Sequence, residues 1–132
     1  MDIIASINKL RLPARSYVVV GSSVLVTLGL AESDSDVDLT VTQAVFDGLK
    51  QQGWEQSTFG DVPILKQGTY DVGVYFYRWS VEELLDDALW VDGVPFIGLE
   101  KLLEWKKHMR RTVDIPQIKR IETYLRQQKT RH

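Results

Sequence analysis

Asp36 and Asp38 stand two apart in the alternating run Asp36-Val37-Asp38-Leu39-Thr40-Val41. Residues two apart on a β-strand point to the same face. Both carboxylates therefore project together, while Val37, Leu39 and Val41 point the other way. Adjacent carboxylates repel each other, and a fold keeps such a pair when a cation or a shared proton relieves the repulsion. Just upstream, Val18-Val19-Val20 is a β-branched run suited to a buried strand, and Gly21 ends it with a residue that lets backbone approach another group closely. Ser22 or Ser23 can then cap a helix running through Leu30, whose first N–H groups are open to an anion. The chemistry this order of residues suits is a divalent metal on the carboxylates, facing a phosphate chain held at the Gly21-Ser22 turn. In such a turn a side chain at position 21 would block the ligand with modest harm to folding.

Asp71 is the next candidate. It interrupts the apolar and aromatic run Thr69–Tyr77, which reads as a strand. A carboxylate buried there without a partner is strongly destabilising, so Asp71 either sits at a wet strand end or meets a cation. Asp61 belongs to the turn signal Gly60-Asp61, and Asp86 and Asp87 belong to a helix.

The elements that must position these residues can be read in order. Ile3, Ile4, Ile7 and Leu10 have helical spacing, with Asp2 as cap and Pro13 as stop. Thr42 caps a helix through Gln52, with Gly53 at its end. Trp54 to Phe59 and Val62 to Gln67 form two strands. Ser80-Val81-Glu82-Glu83 is a capping box opening a helix to about Leu89, and Trp90 to Phe96 is a short strand and turn around Asp92-Gly93. Leu99 to Arg111 is an amphipathic helix carrying Lys101, Lys106, Lys107, Arg110 and Arg111, cations that a solvated helix face would also explain. Asp114 caps a last helix with Ile115, Ile118, Ile121 and Leu125 as its buried stripe and Pro116 in its first turn, followed by a basic, frayed tail over 126–132.

The chain of 132 residues is long enough for one domain with a core, and 44% hydrophobic with 26% charged residues is ordinary for a globular protein. A net charge of −2 argues against a general nucleic-acid coat. With no cysteine, disulfides, thiolate catalysis and Cys-type zinc sites are excluded. No apolar run approaches spanning length and no signal-peptide pattern opens the chain, so a cytoplasmic protein without membrane contact is expected.

Val20-Gly21-Ser22 followed by Asp36-Val37-Asp38-Leu39 resembles the signature of the nucleotidyltransferases of the DNA polymerase beta superfamily, in particular its minimal single-domain members. Val94-Pro95-Phe96-Ile97 with Leu99–Lys106, and Arg110-Arg111-Thr112-Val113-Asp114, look like the family's strand, lysine-bearing helix, basic turn and acidic helix start. Gln117 stands where many relatives are acidic, and Ala31-Glu32 where many are basic. The resemblance implies an α/β (α+β) fold, a nucleotidyltransferase-like mixed β-sheet flanked by helices, as a single domain over 1–132. It implies Asp36, Asp38 and Asp71 as catalytic residues and metal ligands, two magnesium ions, and an NTP such as ATP as substrate. It implies nucleotide contacts from Gly21, Ser22, Ser23 and Lys106. The reaction would move an NMP to a protein, an RNA such as a tRNA end, or a small molecule, and the small size points to a partner subunit. The alternative it carries is an antitoxin-like or regulatory binding module with little catalysis; a general metal-dependent phosphohydrolase is a weaker third reading.

Overall fold

A computed structural model describes residues 2–32 and 36–130. The polar loop expected at Glu32–Ser35 falls outside them from Ser33 to Ser35, as does the end of the tail, 131–132. In chain order the elements are α1 (Ile3–Lys9), β1 (Tyr17–Val20), α2 (Ser23–Thr27), β2 (Val37–Val41), α3 (Gln43–Gln51), β3 (Glu55–Phe59) and β4 (Val62–Gln67). These are followed by β5 (Tyr70–Gly73), α4 (Val81–Leu85), β6 (Leu89–Val91), β7 (Val94–Phe96), α5 (Leu99–Met109) and α6 (Asp114–Thr130). The strands form one seven-stranded mixed sheet in the order β3-β4-β5-β2-β1-β7-β6. The mixed α and β class expected from the sequence is what the chain adopts. Among the described residues no helix is long and apolar enough to cross a membrane.

β1 and β2 lie at the centre and are antiparallel; each has a parallel outer neighbour, β7 beside β1 and β5 beside β2. All four residues of β1 are buried, as a β-branched run covered on both faces should be. The alternation in β2 works as read: Val37, Leu39 and Val41 are at most 2% exposed and belong to the core. Asp38, on the other face, is half-buried.

Several boundaries differ from expectation, each for a local reason. α2 stops at Thr27 rather than Leu30, because Gly29 adopts φ +75° and the N–H of Leu30 returns to the carbonyl of Leu25 at 2.7 Å. This is a Schellman ending. α4 stops at Leu85 because Leu89 to Val91 pair as the edge strand β6. β5 ends at Gly73, not Tyr77. The chain turns back on itself through reciprocal hydrogen bonds between Phe76 and Trp79, with Tyr77 at φ +58°. That turn lays Phe76 on Trp105 of α5 (ring centroids 4.7 Å apart) and Tyr77 on His108 (4.8 Å). The caps read at Asp2, Thr42 and Ser80 are all made.

The last helix carries the largest correction. Ile115 is 54% exposed and not part of a buried stripe, which is reduced to fully buried Ile121 with half-buried Ile118 and Leu125. The tail is helical to Thr130. Asp114 is not a surface cap but is wholly enclosed, and so is Lys106 of α5, whose Nζ lies 3.2 Å from an Asp114 carboxylate oxygen. Arg111 completes the cluster with side-chain bonds of 2.8 and 3.1 Å to the same carboxylate. Asp114→Leu removes the carboxylate that both cations share and leaves an ammonium buried without it, so urea unfolding should show a loss of about 3–5 kcal/mol. Lys106→Met should cost less, because Arg111 continues to serve Asp114.

Candidate functional site

The Asp38 face of the sheet opens into a cleft of about 650 Å³. Register builds its floor. Val20 of β1 is opposite Asp38, Asp38 of β2 is opposite Asp71 of β5, and Asp71 is opposite Lys66 of β4. Direct partners on paired strands share a face, so these four side chains form one row. Asp36, two residues before Asp38, joins it, and Asp36, Asp38 and Asp71 all line the cleft. Its rim is apolar and aromatic: Phe59, Val62, Tyr75 and Tyr77, all among the exposed large hydrophobic residues, line it.

Gly21 closes the row. It has φ +73°, where L side chains are strained, and a Cβ built on it would lie 2.7 Å from Oδ2 of Asp38. The glycine is therefore required twice, by the turn and by the carboxylate that sits against it. Because it is buried, the harm a side chain does there falls on folding directly, not only on ligand approach. Ser22 occupies the N-cap position of α2 without making a side-chain cap bond, and Ser23 is buried with its hydroxyl 3.5 Å from the Asp36 carbonyl. Lys106 does not line the cleft. It reaches the turn from the protein interior, with Nζ 3.4 Å from Oγ of Ser22.

Two cations of the site were not singled out from the sequence. Lys66 Nζ is 3.1 Å from Oδ1 of Asp71. Its pKa is raised, first by the hydrogen bond to Asp71 and by that residue's charge, with Asp36 and Glu55 adding to it. Arg111 lines the cleft, stacks over Trp105 with its guanidinium carbon 4.8 Å from the ring centroid, and is oriented by Asp114. Its pKa is raised by the hydrogen bond to Asp114, with a further contribution from Asp38. The signal for Lys66 is its register with Asp71, which a sequence read strand by strand does not display.

The donor set can be tested against a divalent ion. Asp36, which lies just before β2 and not on it as the alternation suggested, and Asp38 are hard oxygen donors lining one cleft, and the missing Cβ of Gly21 makes room for the Asp38 carboxylate. This pair fits. Asp71 does not join it as arranged, since its carboxylate is engaged by Lys66, and among the described residues no group of three or more His, Cys, Asp or Glu side chains could hold a metal ion. No family model matches the chain, and no curated protein or solved structure shows a significant match.

Burial pushes the Asp114 carboxyl up, but hydrogen bonds from the Arg111 side chain, the Arg111 N–H and Lys106 outweigh it and hold its pKa below the ordinary value. A carboxyl lowered on folding contributes stability that is complete above its unfolded pKa, about 4, and is lost as pH falls through the lowered folded value. Acid titration of the melting temperature should therefore show a fall beginning below about pH 4 that is flatter in Asp114→Asn. At the turn, Gly21→Ala should cost about 2 kcal/mol or more from backbone strain and the Asp38 contact together. In an Asp38→Ala background the contact is gone, and chemical denaturation should show a smaller penalty.

Proposed function

We propose that the chain is a nucleotidyltransferase: it binds a nucleoside triphosphate in the cleft and moves the NMP to an acceptor hydroxyl. The observation that carries the reading is the register of Asp38 with Asp71, on the face shared with Asp36 and closed by Gly21. Carboxylates gathered beside a strand–Gly-Ser–helix turn are the arrangement that phosphoryl chemistry with a cation uses. The fold is, on this reading, nucleotidyltransferase-like.

The residues divide the work. A magnesium ion, when bound, would be held by Asp36 and Asp38 and would supply charge neutralisation and Lewis acidity at the phosphates. Gly21 lets the backbone come close to the phosphate chain, and Ser22, steadied by Lys106 from beneath, donates a hydrogen bond to a phosphate oxygen. Arg111, its plane fixed by Asp114 and Trp105, offers its remaining N–H groups to the same chain. In the reaction the acceptor hydroxyl oxygen bonds to the α-phosphorus while the bond from that phosphorus to the bridging oxygen breaks. Pyrophosphate leaves with the electron pair, and the hydroxyl proton passes to a carboxylate oxygen of Asp71. The acceptor is a protein, an RNA end or a small molecule, and a partner subunit would add surface for it.

One observation favours a second reading. Lys66 already neutralises Asp71, and a cleft so balanced suits a regulatory, antitoxin-like module that binds nucleotide or a partner without turnover. Thermal melts separate both from plain solvated carboxylates, and a transfer assay separates the two from each other. Magnesium or manganese should raise the melting temperature, and more so with an NTP, because a ligand that binds only the folded state stabilises it by mass action. Asp38→Asn should abolish that shift, and the unliganded variant should be as stable as the parent or more so. Transfer of labelled NMP from each NTP, with cell extract supplying the acceptor, should accompany the shift in an enzyme and be missing in a binding module. A parent that shows no shift with any combination of ion and NTP rules out the cation site at Asp36 and Asp38.

A further inference from the structure

The row of side chains on the cleft face extends beyond the carboxylates. Glu55 of β3 is the register partner of Lys66, Lys66 that of Asp71, and Asp71 that of Asp38. Strand order puts Lys66 on the far side of Asp71 from Asp38. Asp71 is thus shared between a carboxylate on one side and an ammonium on the other, and its Oδ1 is 3.1 Å from that ammonium. The side chains of Lys66 and Asp71 are 44% and 28% exposed, so water and ions reach the pair. A contact this open is exchangeable and does not lock the way a buried ion pair does.

We propose that Lys66 is the built-in counter-ion of the carboxylate row, and that it competes with a divalent ion by holding Asp71 away from a metal bound at Asp36 and Asp38. The inference rests on the divalent-ion reading of the cleft and adds a regulator of its affinity. Two consequences follow from charge alone. The chain tolerates three carboxylates in one cleft without metal, because the ammonium offsets one of them. A dication entering beside Asp38 finds the Asp71 charge already offset by the ammonium, so it binds more weakly than the carboxylate count suggests.

The test uses the full chain, manganese alone, and the electron paramagnetic resonance signal of the free ion as readout. Lys66→Met should bind manganese about tenfold more tightly than the parent. That is the factor Coulomb's law gives for one freed carboxylate charge acting on a dication roughly 6 Å away in a water-like medium. The gain should vanish when Lys66→Met is made on an Asp71→Asn background, because then no carboxylate is released. Lys50→Met, which removes the same charge from the exposed end of α3, should leave the affinity unchanged. If Lys66→Met binds the ion and the parent does so only with an NTP present, competition is complete for the ion alone and the proposal stands. Equal affinity in parent and Lys66→Met, a gain that persists without Asp71, or an equal gain in Lys50→Met overturns this proposal and leaves the metal reading intact. Failure of both parent and Lys66→Met to bind manganese overturns the metal reading and this proposal with it.

Discussion

The buried ion pair of Lys106 and Asp114 is the constraint on which the two halves of the chain meet. Removing both charges from water is expensive, and their attraction offsets that only when geometry is good and the remaining donors and acceptors are served. Here they are served: Asp114 takes bonds from the Lys106 ammonium, the Arg111 guanidinium and the Arg111 N–H, and Lys106 also reaches Ser22. Such a cluster is a poor source of net stability and a strong source of specificity, because a shifted helix would leave a charge buried and unpaired. It fixes α5 against α6 and both against the turn after β1. The Gly-Ser turn, formed near the start of the chain, is thereby held by its C-terminal helices.

The cleft presents the opposite electrostatic problem. Asp36, Asp38 and Asp71 line one space that is open to water, so desolvation is modest and three like charges share the cleft. The fold answers with cations from two directions. Lys66 approaches along the sheet, from the neighbouring strand. Arg111 approaches from above, on the loop that Asp114 anchors. Because Asp114 orients Arg111, the buried cluster and the open cleft are connected through one guanidinium.

Much of this architecture was legible because it is local. The alternation in β2, the β-branched run of β1, the turn at Asp92-Gly93 and the caps at Asp2, Thr42 and Ser80 each rest on residues a few positions apart, and each formed as read. The three carboxylates were legible as one-face residues, and the sheet brings them to one cleft. The chain failed to announce what depends on tertiary partners. The run Tyr75-Phe76-Tyr77 has strand composition, yet packing of Phe76 on Trp105 bends it away from the sheet. Ile115 has a core residue's identity at a helical interval, yet the enclosed Asp114 beside it sets the rotation of α6 and turns Ile115 outward.

Lysine shows most sharply why composition runs out. Lys66 lies near the end of a strand, where nothing local marks it, and Lys106 lies on a helix face crowded with cations that a solvated surface would also explain. Their fates differ because of the residue each one meets: Asp71 through a strand register, Asp114 through a helix–helix contact. The first remains exposed and exchangeable, and it can act on the charge of the cleft. The second is sealed, and it can act only on shape. A lysine's role in this chain is set by the dielectric around its carboxylate partner, and that is decided by topology.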